Sequence, residues 1–533
     1  MKKISQFPSG RQVTGAVRLA IGVLLPGFAC ASFGYLTTGV TLAVGALAVA
    51  ASDLSVPTPD RKLGMMVCTI LTGFTGFAAG CASGQLYLEA VTILLLCFCY
   101  SLLSVFGATA ASIGAQSLMI MSLVLFQKPV GSQIFKTAVL LLTGGLWQMA
   151  LAWIFHILKP AMAVRQTIAE CIRETERSLL LKVAVRVQAQ ATDKLTDRLV
   201  AQHVRVNTAQ EAVSALLSAE NELYIRLTEV YEEIMGLPAD ADERLIRRIF
   251  IKLRRLDRRS RNMMGKPIRR PMPGDLKAAI GLLQENLRWN SPSFRYAVRV
   301  SLTAFAGFMI AANIAPGIHT YWILYTIVFV LKPTYSISKR RSIQRVTGTL
   351  AGSALIYILL SLFRSHDVLF LFLMLFITAA YSVQQVDYFI FITFLTSGVL
   401  LVYILEGMGS RMLVHERVLD TLIGSAGAFI ANYTILPVWE FQSLPGHLAK
   451  AIDANNTYVM QLIDHAGGRL IDPNSRRSVR REVFVSLSAL KTSYDRMSGD
   501  PKRRQKHRNE LRQLIAINYR ISSLTAGLIR KIT

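Results

Sequence analysis

Cations set within or beside apolar sequence are the residues of this chain that most need a chemical reason. Arg18 and Arg299 each stand about one turn into an apolar run, and Lys332, Arg341 and Arg345 follow a short one. A fixed charge surrounded by hydrocarbon is costly and usually marks a substrate or ion path, although Arg18 and Arg299 have snorkelling to headgroups as an alternative. Arg341 and Arg345 are four apart and share one helix face. Planar guanidinium groups hold a carboxylate through two hydrogen bonds, so the chemistry expected here is capture of an organic anion. Ordinary positive-inside charge is the competing account, and it covers at least Lys339 and Arg340. Tyr321 and Trp322 open the short run, either as part of an outer aromatic belt or as a stacking platform for an aromatic substrate.

A transporter driven by protons needs a titratable group inside its helix bundle. Glu89 and Asp387, each near the start of an apolar span, are the leading candidates; Asp53 and Asp420 are weaker, since each has a cation nearby to pair with. No nucleophile–base constellation and no Walker A sequence are present, so neither enzymatic chemistry nor a built-in ATP motor is expected. Cys30, Cys68, Cys81, Cys97, Cys99 and Cys171 form no CxxC pair and no His/Cys cluster, so no metal and no cofactor is expected. His319, His366 and His415 are read as loop residues. Gly348-x-x-x-Gly352, Gly76-x-x-x-Gly80 and Gly80-x-x-x-Gly84 permit close helix approach and say little about substrate.

The elements that must position these groups lie in lipid. Hydrophobic residues make up 52% of the 533 positions, and mean hydropathy is +0.40. From Leu63 to Gln127 the only formally charged residue is Glu89. A soluble domain exposes many charges over such a length, so the chain is integral to a membrane. The net charge of +26 follows from the positive-inside rule, and aromatic residues do not interleave with Arg and Lys; a nucleic-acid partner is not expected. Ala29-Cys30-Ala31 resembles a signal-cleavage site, but Arg18 interrupts the run before it and matches Arg299 far inside the chain, so the run reads as the first span.

That match belongs to a longer one. Ala16-Val17-Arg18-Leu19 recurs 281 positions later as Ala297-Val298-Arg299-Val300, Tyr100-Ser101 as Tyr381-Ser382, and Lys136 meets Arg417. Apolar segments near 17–34, 35–51, 63–83, 87–106, 108–126 and 136–158 are answered by 296–315, 321–331, 345–363, 368–381, 387–405 and 416–437. Six spans per half is an even number, which makes the repeats parallel. The expected fold is therefore all-α integral membrane, with two parallel six-helix repeats, each followed by a cytoplasmic helical domain. The bounds are 1–158, 159–290 with a basic linker at Lys266 to Gly274, 291–440, and 441–533. Lys2, Lys3, Arg11, Arg61-Lys62, Lys339 to Arg345 and both basic tails place one side, and both termini, in the cytoplasm. The tails' cations are expected to meet anionic membrane lipids. Tyr321 to Leu331 is too short to cross the hydrocarbon core, and its counterpart, Val40 to Ala50, is rich in Gly and Ala; such a matched pair of short segments points to a substrate path between the halves.

His319-Thr320-Tyr321-Trp322, Val330-Leu331-Lys332-Pro333-Thr334-Tyr335-Ser336, Arg340-Arg341 and Gln344-Arg345-Val346-Thr347-Gly348-Thr349-Leu350-Ala351-Gly352 give the second half a recognisable face. With Glu416-Arg417 and Asp420-Thr421-Leu422-Ile423-Gly424, the stretch over about 290–440 resembles the fusaric-acid-resistance-like family, which includes aromatic acid exporters and is similar to plant malate channels. The resemblance implies efflux of small organic, often aromatic, carboxylates across the bacterial inner membrane. It also implies a homo-oligomer, and for some members a periplasmic adaptor. Two other functions fit the same residues: an anion channel, and a non-transporting scaffold acting through its helical tails.

Overall fold

The computed structural model describes residues 10–53, 61–158, 162–187, 193–216, 221–237, 242–261, 276–314, 318–384, 386–405, 410–469 and 472–532, and these are helical throughout apart from short turns. Lys2 and Lys3, the Pro57 to Asp60 break, the Lys266 to Gly274 linker and the Pro316-Gly317 turn lie outside them. Six helices come first: α1 (Gly10–Ser32), α2 (Leu36–Asp53), α3 (Arg61–Ala82), α4 (Leu86–Leu102), α5 (Ala108–Gln127) and α6 (Ser132–Leu158). Four more polar ones follow: α7 (Met162–Val187), α8 (Asp193–Leu216), α9 (Glu222–Met235) and α10 (Glu243–Arg261). A short α11 (Leu276–Asn286) leads to α12 (Pro292–Ile314), α13 (Ile318–Val330), α14 (Tyr335–Leu362), α15 (His366–Val383), α16 (Tyr388–Leu405) and α17 (Ser410–Thr434). The chain closes with α18 (Glu440–Ala466), α19 (Pro473–Met497) and α20 (Arg508–Ile532).

These helices sort into two compact units, residues 1–159 with 271–438 and residues 160–270 with 439–533. Eight helices of the first unit are long and apolar enough to cross a membrane: α3, α4 with its 3-10 extension to Phe106, α5, α6, α12, α14, α15 and α16. Shorter apolar stretches occupy α1 and α2. Large apolar side chains such as Phe74, Leu95, Trp153, Leu371 and Ile430 point outward, as hydrocarbon solvent allows. Gly107, the lone boundary signal between Tyr100 and Gln127, takes φ +100 where the 3-10 turn hands over to α5. Only glycine adopts that conformation without strain.

Within the first unit α2 packs on α6, α3 on α5 and α6, and α4 on α5. In the later set α13 packs on α17, α14 on α16 and α17, and α15 on α16. Three contacts cross between the sets: α1 against α15, α12 against α4 and α13 against α5. Lipid gives helices no hydrophobic reason to associate, so close backbone approach must supply the attraction. Between α2 and α6 it does: a Cβ on Gly45 would stand 2.4 Å from the Leu141 carbonyl oxygen, and one on Gly144 2.1 Å from that of Leu42. The expected pair of short segments is found as two short helices, one of them unbroken, the apolar stretch of α2 being Thr37–Ser52. α13 has 13 residues, about 20 Å of helix against a core of about 30 Å. Its counterpart α2 runs 18 residues without a break, because Gly and Ala there serve the contact with α6 rather than an interruption.

In the second unit the two polar segments, read from sequence as separate domains, share one core. Val206, Tyr231 and Met235 pack with Tyr458, Phe484, Leu487 and Tyr519. Glu232 ties the segments further, accepting from Tyr458 Oη at 3.0 Å and pairing with Arg480. α11, assigned by sequence to the first tail, belongs instead to the membrane unit.

His203 lies in this shared core, its Nδ1 2.6 Å from Tyr231 Oη and its ring edge-on to Phe484. Burial pushes its pKa down to about 4, with Lys182 reinforcing the shift by charge repulsion. The unfolded chain takes up this proton near pH 6.5 and the folded one only near 4, so the stabilisation is complete above 6.5 and lost as pH falls toward 4. A chemical-denaturation series should show the second unit losing about 3 kcal/mol across that window, and His203→Phe should flatten the slope. An unchanged slope in His203→Phe would assign the acid sensitivity elsewhere.

Candidate functional site: an aromatic and guanidinium cluster beside a broken helix

Because α13 stops short, its end must find hydrogen-bond partners inside the protein. All five carbonyls from Leu331 to Tyr335 have donors. Tyr296 Oη donates to Leu331 O at 3.4 Å, Ser338 Oγ to Lys332 O at 3.1 Å and Arg299 Nη2 to Pro333 O at 3.1 Å. The Ser338 amide donates to Thr334 O at 3.2 Å, and Asn432 Nδ2 to Tyr335 O at 3.3 Å. Arg299 also donates from Nη1 to Asn432 Oδ1 at 2.5 Å. Its side chain is wholly buried. Arg299 was expected to capture substrate or reach the headgroups; in the structure its guanidinium serves the turn after α13. Pro333 explains the location of the break, since it has no N–H and disfavours helix in the residue before it.

The other sequence candidates divide. Arg18 is half-buried on α1. Lys332 is half-buried in the turn, its amide donating to Ser338 Oγ at 2.8 Å. Arg341 lies over the Tyr388 ring, 4.9 Å from its centroid. Tyr321 is on α13, with its side chain outside the described part. Glu89 accepts from the Gly84 amide at 2.8 Å, and Asp387 accepts from the Phe389 amide at 2.8 Å. Asp387 thus caps the start of α16, while Glu89, in the first turn of α4, holds the turn before it; both stand where the macrodipole favours negative charge.

Arg345 and Trp322 do come together, with partners that the sequence reading left out of the site. Arg345 is 1% exposed, and its Cζ is 4.9 Å from the Tyr325 ring centroid. Arg417, from α17, stacks 3.5 Å from the centroid of Trp322, which is buried rather than set in an aromatic belt. Trp322 in turn meets Tyr325 at 6.1 Å and Tyr403 at 6.0 Å, both edge-on. Asp420 stands one turn from Arg417 and is 1% exposed. Tyr325 was legible as the i+3 neighbour of Trp322. Arg417 was legible as a cation at the repeat offset from Lys136.

Two nitrogens of Arg345, Nε and Nη2, have no hydrogen-bond partner among the described residues. Neither do the buried hydroxyls of Thr326, Thr349, Ser353, Thr421 and Ser425, which belong to the same three helices, α13, α14 and α17. Buried polar groups are nearly always satisfied, so open donors on these three helices suit a polar guest. The cluster holds two guanidinium groups, one carboxylate and several π faces, a surface complementary to a planar anion.

The sequence was compared with known proteins. The family model described as fusaric acid resistance protein-like matches residues 303–431, a stretch containing Trp322, Tyr325, Arg345, Arg417 and Asp420. A second, described as FUSC-like inner membrane protein yccS, matches residues 65–226. Inner membrane protein YccS of Escherichia coli K12 is 24% identical over 92% of this chain and 81% of its own length. An uncharacterized protein of Haemophilus influenzae is 27% identical over 48% of the chain and 35% of its own length. Protein ORF2 of Neisseria gonorrhoeae, also uncharacterized, is 30% identical over 43% and 55%. No solved structure matches. With both family models aligned to its helices and several of these apolar enough to span a bilayer, the chain belongs to the fusaric-acid-resistance-like family of multi-pass inner-membrane proteins.

Proposed function

We propose that this protein is a secondary transporter exporting an organic anion, best an aromatic carboxylate, and that the cluster around Arg345 is its binding site. The observation that carries the reading is the buried guanidinium of Arg345, with two nitrogens open to a guest and an aromatic ring beneath it. Trp322 and Tyr325 stack the ring of the substrate, while Arg345 and Arg417 hold its carboxylate. Arg341 and Lys332 attract the anion on the cytoplasmic side. Asp420, the buried carboxylate of the cluster, takes the place of Glu89 and Asp387 as the group that exchanges the coupling proton. Arg18 has no part in the site.

The two sets of six helices are copies of one unit related by an axis along the membrane normal. Matching pairs such as α2 with α6 and α13 with α17, and the crossed pair α1 with α15 and α12 with α4, support this. The surplus of Lys and Arg in the polar segments places them, with both termini, in the cytoplasm.

The test uses proteoliposomes and labelled phthalate, a dianion that crosses lipid too slowly to blur the result. An imposed pH difference should concentrate phthalate above equilibrium. Asp420→Asn should keep downhill exchange yet lose the pH-driven accumulation. Flux that only dissipates a phthalate gradient in the unaltered protein would identify a channel, and absence of flux would favour a scaffold.

A further inference from the structure

We infer that the outward face of α10 is a docking surface for anionic phospholipid headgroups, a role separate from the transport site. At 100° per residue, Arg244, Arg247, Arg248, Arg254, Arg255 and Arg258 fall within an arc of about 120°, with Ile251 near its centre. All seven side chains are exposed. The opposite side of the helix is spent on the core, where Ile249, Leu253 and Leu256 are buried. No carboxylate shares the arc. Acids at its flank are engaged, Glu233 with Lys252 at 2.5 Å and Glu222 with Arg226 at 2.5 Å and Arg259 at 3.7 Å. Six exposed arginines held on one face, with no carboxylate among them, call for an extended negative surface.

Three features favour lipid over nucleic acid. The arc carries no aromatic side chain on which bases would stack. Its one apolar member, Ile251, is 44% exposed amid the arginines, an arrangement suited to the boundary between headgroups and acyl chains. Beside the arc, α7 and α10 enclose a cleft of about 570 Å³ that includes Ala169, Ile172 and Leu253 with Arg165, Arg173 and Arg254; Glu176 and Asp257 also line it. Apolar and cationic walls together suit an amphiphilic anion. The chain is itself anchored in a bilayer, so such a surface is present at high effective concentration, and each arginine near it adds to the attraction.

The experiment is hydrogen exchange on the full chain in nanodiscs of phosphatidylcholine alone and of phosphatidylcholine with roughly 30% phosphatidylglycerol. Amides of 244–258 should exchange about tenfold more slowly in the anionic discs, and about 0.5 M salt should abolish the difference by cutting the screening length to ~4 Å. The combined variant Arg247→Glu, Arg248→Glu and Arg255→Glu should remove the protection while leaving exchange in α7 unchanged. The comparison of the two discs stands on the unaltered chain, so it does not depend on how the variant folds. Equal exchange in both discs overturns the inference. So does stronger protection from an added single-stranded oligonucleotide than from phosphatidylglycerol, which would assign the face to nucleic acid.

Discussion

Arg345→Ala should reduce phthalate transport at least about thirtyfold while the protein still folds, because removing a buried charged partner from a bound anion costs roughly 2–5 kcal/mol. The loss should fall on substrate affinity and turnover together, since the group is used throughout the crossing. Arg345→Lys distinguishes two explanations. A lysine keeps the charge but lacks the planar fork, so recovery by Arg345→Lys to near the original rate would show that attraction alone suffices. Failure of the lysine variant, with an unchanged melting temperature, is the expected outcome and argues for paired hydrogen bonds to a carboxylate. Trp322→Leu sharpens the test. It should weaken aromatic substrates more than aliphatic ones of the same charge, because it removes the ring on which Arg417 stacks.

The second large effect concerns folding. Gly144→Val should prevent assembly of α2 against α6, since even a methyl group there would lie 2.1 Å from the Leu42 carbonyl oxygen and 3.0 Å from the Ala46 amide. Both obstacles are main-chain atoms, which cannot swing aside as a flexible side chain does. The helices would have to separate, and overpacking of this kind costs about 3 kcal/mol or more. The measurement is the fraction of monodisperse protein recovered in mild detergent and its melting temperature. Gly427→Ala serves as the control, because a Cβ there meets nothing within 4 Å. Equal recovery of the two variants would mean that α2 and α6 are not held by this contact.

Much of the architecture was readable from the chain. Uninterrupted apolar runs bounded by Gly84-Gln85, Lys128-Pro129 and Lys332-Pro333 mark helices whose ends follow closely. Lys332-Pro333 shows why: a residue without an amide donor imposes the same local outcome in any tertiary setting. The site was harder. Arg299 and Arg345 look alike in sequence, each a cation beside apolar residues with another arginine four positions before it. Only the fold distinguishes them, giving one the carbonyl of Pro333 and the other the face of Tyr325. Arg417 escaped because its partner, Trp322, is 95 positions away. The amides that Glu89 and Asp387 accept from were equally hidden, since a carboxylate has the same one-letter signature whether or not an amide faces it.

The core of the second unit is written in two instalments. Val206, Tyr231 and Met235 leave the ribosome long before Tyr458, Phe484 and Tyr519, the side chains that cover them. Roughly 170 residues of membrane-embedded chain come between, which at about 5–20 residues per second is a wait on the order of 10–30 s. Throughout that interval α7 to α10 must persist with an uncovered apolar flank while α12 to α17 are made. A nascent chain cut before Leu444 thus carries an uncovered apolar surface, and completion of the second unit waits for residues 439–533.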